Sequence, residues 1–254
     1  MKLTAGVEPF SDLWYEMRNG RLTASLMHKI FVNGQGKQNL IGVGGMGYIN
    51  QKIGEMLTGV ISDEISGNVP DDVQRGLANE PWAIERYTEV TGITVYPSRL
   101  YEYNAIAVGT TDGQTSEDKI NIKGILEVKC PRPYKHIQIC AVDAPIELKA
   151  IDNQYFHQGQ SNMLFTDAEY CDFVSYCDTI KHYDLQLRIV RMYPDSEWRK
   201  DFINRIDWIA SYMSEQLEKI LKTPERNLAY RIEQKPEAIE NLKNVIENIR
   251  NVSI

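Results

Sequence analysis

Along the 254-residue chain, apolar positions recur first at helical spacing, then at the shorter spacing of strands, and then at helical spacing again. Leu13, Trp14 and Met17 follow Ser11 at helical intervals, so a helix capped by Ser11 is expected, broken at Asn19-Gly20 and resuming near Thr23 towards Ile30. The stretch from Val32 to Gly47 is rich in Gly, Asn and Gln and reads as a mobile loop. Helices are expected from Tyr48 to Leu57 and from about Asp72 to Thr91, the second stopped by Gly92. Between Ile93 and Lys129 the pattern becomes extended, with Ile93, Thr94 and Val95, then Ile106, Ala107 and Val108, then Ile120, Ile122, Ile125, Leu126 and Val128. Three or four strands are predicted there, with the polar run from Gly113 to Asn121 as a hairpin connection. Helix returns from about Pro145 to Phe165, followed by strands over Tyr170 to Tyr176 and Leu185 to Val190. Trp198 to Leu221 is an amphipathic helix by its Phe202, Ile206, Ile209, Met213, Leu217 and Ile220, and one more helix is expected from Pro236.

This alternation predicts an α/β fold with a central mixed sheet flanked by helices and an active site at one edge of the sheet. Residues 1–222 are expected to form one domain, and residues 223–254 a helical extension. A hydrophobic content of 43% supports a substantial core and excludes a disordered or disulfide-stapled chain. No apolar run has the length of a membrane span or a signal peptide, so a soluble, intracellular protein without membrane partners is expected. Cys130, Cys140, Cys171 and Cys177 lack the paired spacing of a zinc site and are expected as free thiols. Gly42, Gly44, Gly45 and Gly47 do not complete a nucleotide-binding loop, because no strand precedes them and no Lys-Ser/Thr follows. His28, His136, His157 and His182 show no ligand spacing. The formal charge of −7 argues against a protein that coats nucleic acid by bulk electrostatics, though basic residues gathered on one surface would still admit it.

The chemistry lies in Val108-Gly109-Thr110-Thr111-Asp112-Gly113 and in Glu127-Val128-Lys129. Residues two apart on a strand share a face, so Glu127 and Lys129 project together while Val128 packs behind. If Asp112 ends the neighbouring strand of a hairpin, two carboxylates and an ammonium meet in one pocket. That set suits hydrolysis of a phosphodiester, in which a divalent cation on oxygen ligands polarises phosphate and activates water. Glu80, on the helix before the strands, is placed to complete the cation's shell. Taken singly, Asp112-Gly113 also describes a turn, and Glu127 with Lys129 an exposed strand face.

Five short motifs in order carry a resemblance: Trp14-x3-Arg18 with Leu22-Thr23-Ala24-Ser25, Gly76-x3-Glu80-x2-Ala83, Asp112-Gly113, Leu126-Glu127-Val128-Lys129-Cys130-Pro131, and Tyr155-x2-Gln158-x-Gln160. From about Trp14 to Phe165 the chain resembles the lambda-type alkaline exonucleases and YqaJ-like phage recombinases of the PD-(D/E)xK nuclease superfamily. The resemblance implies that Asp112, Glu127 and the backbone carbonyl of Val128 bind metal, with Glu80 supporting a second ion. It implies two Mg2+ ions, or Mn2+ in their place. Lys129 would activate or position the attacking water, and Gln158 would orient Lys129 or that water. Arg18 and Ser25 match the pocket for the 5′-phosphate, a role that guanidinium and hydroxyl donors suit. Without the resemblance, Arg18 reads as a solvated helix residue and Ser25 as a cap, while Trp14 and Tyr155 read as core aromatics.

The implied function is 5′ to 3′ degradation of one strand from a double-stranded DNA end, leaving a 3′ overhang for recombination. A homotrimer, a single-strand annealing protein as partner, and the cytoplasm of a bacterial cell of phage or prophage origin are implied with it. The rival functions are a DNA endonuclease on the same core and a catalytically silent module that binds DNA ends. The loop after Ile30 carries Lys37 as its only basic residue, and nothing after about Asp167 matches a motif.

Overall fold

The computed structural model describes residues 2–3, 7–35, 40–61, 71–97, 99–118, 120–222 and 236–252. Lys37 and residues 223–235 lie outside the described residues. Ser11 caps helix α1 (Asp12–Arg18) by accepting from the Trp14 amide at 3.2 Å. A short strand β2 (Leu22–Thr23) leads into a 3-10 helix (Ala24–Phe31) rather than an α-helix. Helix α2 (Val43–Thr58) starts five residues ahead of the expected Tyr48. The glycines assigned to a loop therefore form its first turns. Gly45 packs so closely that a Cβ there would lie 2.7 Å from the Lys29 carbonyl oxygen, which is why a poor helix former occupies the position. The loop before α2 is gathered by Arg205, whose guanidinium donates to the Ile30 and Leu40 carbonyls at 2.7 and 2.6 Å and to Asn33 at 2.7 Å.

Helix α3 (Asp71–Thr91) precedes five strands where three or four were expected: β3 (Thr94–Tyr96), β4 (Leu100–Asn104), β5 (Ala107–Thr110), β6 (Gly113–Ser116) and β7 (Gly124–Lys129). Gly113 to Ser116, expected as part of the connection, is itself a strand paired with β7. The chain then forms α4 (Pro133–Cys140), α5 (Pro145–Ile151) and α6 (Asn153–Thr166), followed by β8 (Tyr170–Tyr176), β9 (Leu187–Met192), α7 (Ser196–Leu221) and α8 (Pro236–Arg250).

There are two mixed sheets rather than one. The larger runs β3-β6-β7-β8-β9, and β1 (Lys2–Leu3) joins the smaller, β1-β4-β5-β2. Only β7 and β8 are parallel in the larger sheet, and α4 to α6 supply the crossover that such a pair requires. One face of this sheet, with Ile125, Cys171 and Phe173, packs on Phe156, Met163 and Phe165 of α6 and on the apolar stripe of α7. The other face, with Leu126, Val128 and Val174, packs on Ala83 and Tyr87 of α3. Helix α8 lies against α7 and buries Ile246 and Ile249 in the main core. No helix among the described residues is long and apolar enough to cross a membrane.

The larger sheet also holds a buried ion pair. Asp172 is 1% exposed, accepts two bonds from Arg191 at 2.8 Å each, and accepts another from the Tyr87 hydroxyl at 2.6 Å. Removing the acid leaves a guanidinium without its main partner, so Asp172→Ala is expected to cost about 3 kcal/mol. Urea unfolding followed by far-UV circular dichroism measures it, and a loss below about 1 kcal/mol would show that the pair is not a structural anchor.

Candidate active site

Strand β7 is the middle strand of its sheet, so the site is not at a sheet edge as the sequence had suggested. The pleat turns Glu127 and Lys129 to the α6 side and Val128 to the α3 side. Glu127 is 1% exposed. Gln158 Nε2 donates to its Oε2 at 2.6 Å, and Asn162 Nδ2 donates to its Oε1. The two amides stand four residues apart, on one face of α6. Gln158 is thus tied directly to Glu127. Asn162 Nδ2 also donates to the Thr110 carbonyl at 3.1 Å, which ties the end of β5 to the middle of β7. Gly109 makes room for this, since a Cβ there would lie 2.2 Å from Asn162 Oδ1.

Asp112 occupies the bend where the chain leaves the smaller sheet at β5 and enters the larger at β6. Its amide donates to the Leu126 carbonyl at 3.0 Å, and its Oδ2 accepts from the Val128 amide at 2.7 Å. These bonds bracket Glu127 and set the two acids side by side. Lys129 Nζ lies 3.8 Å from Asp112 Oδ2 and 3.6 Å from Glu127 Oε2. The triad expected from the sequence therefore converges.

Burial, and then the charge of Asp112, push the Glu127 carboxyl up to about 8, with Lys129 pulling the other way. The same two causes raise Glu80 to about 7. Burial alone would lower the Lys129 ammonium, but Asp112 and then Glu127 more than offset it and hold it above its ordinary value. Lys129 is therefore held as an ammonium able to donate hydrogen bonds between the two acids.

Asp112 and Lys129 open onto a cleft of about 890 Å³ that Glu80, Gln158, Arg18 and Ser25 also line. Glu127 sits just behind the wall. Arg18 stacks its guanidinium 4.0 Å from the Trp14 ring centre, and Trp14 Nε1 donates to Thr110 Oγ1 at 3.1 Å. The Ser25 hydroxyl lies 3.3 Å from that of Thr23. Arg75, Arg132 and Lys135 line the same cleft, so five basic side chains face two acidic ones within a chain of net charge −7. His157 lies beside Gln158 but is a core residue: its Nδ1 accepts from Trp198 Nε1 at 2.8 Å, and burial lowers it to about 3.

A family model described as the YqaJ-like viral recombinase domain matches residues 13–169. That span runs from α1 through α6 and contains Arg18, Ser25, Glu80, Asp112, Glu127, Lys129, Gln158 and Asn162. The chain belongs to this family. No curated protein sequence matches the chain significantly. Among solved structures, an alkaline exonuclease from Laribacter hongkongensis, LHK-Exo, is similar at 24% identity and a TM-score of 0.65, over 84% of this chain and all (100%) of its own. LHK-Exo in complex with dAMP is similar at 25% identity and a TM-score of 0.69, over 86% of this chain and 100% of that one. A phage related exonuclease from Haemophilus somnus 129PT shares the fold at 15% identity and a TM-score of 0.62, over 81% of this chain and 99% of its own.

The donor set of this family member can be tested against a divalent cation. Among the described residues, no three acidic, His or Cys side chains are close enough to form a cage of their own, which disfavours zinc. Two carboxylates with a backbone carbonyl, the remaining positions left to water and phosphate, match what magnesium prefers. Burial first, and then the charge of Asp112, raise the carboxyls of Glu80 and Glu127, and a cation bound beside Asp112 would relieve the second of these causes. A buried acceptor beside Glu127 on a residue that lines the cleft, Gln158 Oε1, has no protein partner among the described residues and would accept from a hydrated ion. The residues fit.

Reading the sequence missed Asn162 and the basic residues Arg75, Arg132 and Lys135. Asn162 carried a usable signal, since it lies one helical turn beyond Gln158 and faces the same way.

Two outcomes follow from this geometry. A buried acid whose folded pKa exceeds its ordinary 4.5 binds its proton more tightly when folded, so its contribution to stability is full below 4.5 and is lost as pH rises through about 8. In chelator, the melting temperature of the wild type is expected to fall more steeply between these limits than that of Glu127→Gln; parallel slopes would exonerate Glu127. Gly109→Ala, which drives a methyl into Asn162, is expected to lower stability by about 1–3 kcal/mol in thermal or urea unfolding, and an unchanged transition would refute that close fit.

Proposed function

We propose that this member of the YqaJ-like family is a magnesium-dependent deoxyribonuclease that degrades one strand of a double-stranded DNA end in the 5′ to 3′ direction, leaving a 3′ overhang for annealing. The observation that carries the reading is that Asp112 and Lys129, with Glu127 behind them, share one basic cleft with Arg18 and Ser25. The exonuclease named in each of the similar structures supports the same direction of inference.

In this reading Asp112, Glu127 and the Val128 carbonyl hold one divalent ion and Glu80 helps to hold a second, Mg2+ or Mn2+. The ions, when bound, supply charge neutralisation at the scissile phosphate and lower the pKa of the attacking water. Gln158 and Asn162 keep Glu127 from turning away. Lys129 donates to the water and offsets charge that builds on the phosphate. Arg18 forks the terminal 5′-phosphate, braced from behind by Trp14, and Ser25 adds a hydroxyl donor. Residues 1–222 carry the activity, with the C-terminal helix as an extension. A homotrimer, a single-strand annealing protein as partner, and work in the cytoplasm of a phage-bearing bacterium complete the proposal.

Linear duplex DNA with 5′-phosphate or 5′-hydroxyl ends, and a closed circle, should be incubated with magnesium or with chelator. The expected result is loss of the linear DNA only with magnesium, faster from phosphate ends, and an intact circle. Cutting of the circle would indicate an endonuclease, and binding without degradation a silent end-binding module. Lys129→Ala is expected to slow degradation by about 10²–10³-fold while the protein still melts cooperatively, because a partly exposed polar side chain adds little to packing. Wild-type rates in that variant would remove Lys129 from the mechanism.

A further inference from the structure

We propose that Phe10 is a stacking platform for the nucleobase of the strand end whose phosphate Arg18 binds. The inference rests on the exonuclease reading above and adds a base subsite to it.

Phe10 is the third residue of the turn Glu8-Pro9-Phe10-Ser11, closed by the Ser11 amide on the Glu8 carbonyl at 3.3 Å. Its φ is +65°, a left-handed conformation that favours glycine at this turn position and is an outlier for a bulky side chain. Asp167 is the only other non-glycine residue with positive φ among those described, and there it ends a helix. Burial does not account for Phe10 either, because the ring is 58% exposed. A large apolar side chain thus stands in a glycine position without being taken up into the core. Strained backbone positions of this kind cluster at active sites and ligand clamps.

The ring's surroundings say which ligand. Phe10 lines the cleft, and its ring centre is 5.2 Å from that of Trp14, whose ring in turn carries the Arg18 guanidinium at 4.0 Å. Phe10 and Arg18 thus each contact Trp14, the two aromatic rings meeting at a tilt of 41°. Trp14, though it also lines the cleft, is 8% exposed and pinned by Thr110, so the middle of this chain of contacts offers a ligand little surface, while Phe10 and Arg18 stand at its two ends in the cleft. One end offers a cation for phosphate and the other a bare aromatic ring. A nucleotide carries the same two groups, an anionic phosphate and a flat base, and stacking on an aromatic ring accepts any base.

The test uses dAMP and 2-deoxyribose 5-phosphate as probes, with magnesium present, titrated by calorimetry into the wild type and into Phe10→Gly and Phe10→Tyr. Glycine relieves the backbone and keeps the fold, so its melting temperature should stay within about 3 °C of the wild type. We expect dAMP to lose roughly 5- to 100-fold in affinity in Phe10→Gly, the range for one stacked base, while deoxyribose phosphate changes less than about twofold. Phe10→Tyr should restore dAMP binding. A merely structural role would weaken both probes alike, and that result, or equal affinity of the wild type for the two probes, overturns the platform while leaving the nuclease reading in place. Failure of the wild type to degrade DNA with magnesium overturns that reading and the platform with it. A change of oligomeric mass in Phe10→Gly without any difference between the probes would assign the ring to a subunit contact instead.

Discussion

Burying the Glu127 carboxylate in the middle of a sheet is the constraint from which the rest of the site follows. A lone ionised acid in that position is strongly disfavoured, and it is held by two amides and an ammonium rather than by solvent. The amides must come from a helix, since only a turn-by-turn repeat delivers Gln158 and Asn162 to the two oxygens of one group. That helix must lie flat on the sheet, which Phe156, Met163 and Phe165 ensure by entering the main core. Packing, crossover and site are thus one solution. The parallel pairing of β7 with β8 is what sends the chain through α6 at the right place.

Asp112 is fixed in a different manner. It hangs at the joint between two sheets, and its position depends on the Leu126 and Val128 backbone groups on either side of Glu127. The proposed phosphate side of the cleft is built from residues before position 30, while Asp112 and Glu127 come from beyond position 110. Trp14 links them, because it supports Arg18 with its ring and grips Thr110 with its indole nitrogen. Thr110 in turn gives its carbonyl to Asn162. A chain of short contacts therefore runs from the proposed phosphate pocket to the buried acid.

Much of this was legible in the sequence because it depends on local pattern. The strand Tyr170–Tyr176 and the cap at Ser11 follow directly from side-chain chemistry and spacing. The start of α2 was hidden, because Gly45 is required by its close approach to the Lys29 carbonyl, which only the fold shows, and a run of glycines on its own signals a loop. Strand β6 was hidden for the opposite reason. Its residues Gly113, Gln114, Thr115 and Ser116 are polar or small yet all buried, so no alternation marks them. In the site, Asp112, Glu127 and Lys129 were readable through ordered motifs. Asn162 was overlooked: its spacing of one helical turn from Gln158 was visible, but what that face of the helix meets is set by packing on the sheet.

The distribution of charge has a consequence for how a polyanion meets this surface. With five of the 28 basic side chains set against two acidic ones in the cleft, the rest of the chain is more acidic than the whole-chain figure of −7 suggests. A nucleic acid drifting towards the back or flanks is repelled, whereas one aligned with the opening is drawn in. The acidic exterior then works as an orientational filter: it gives up overall attraction and in return makes a larger share of encounters arrive the right way round.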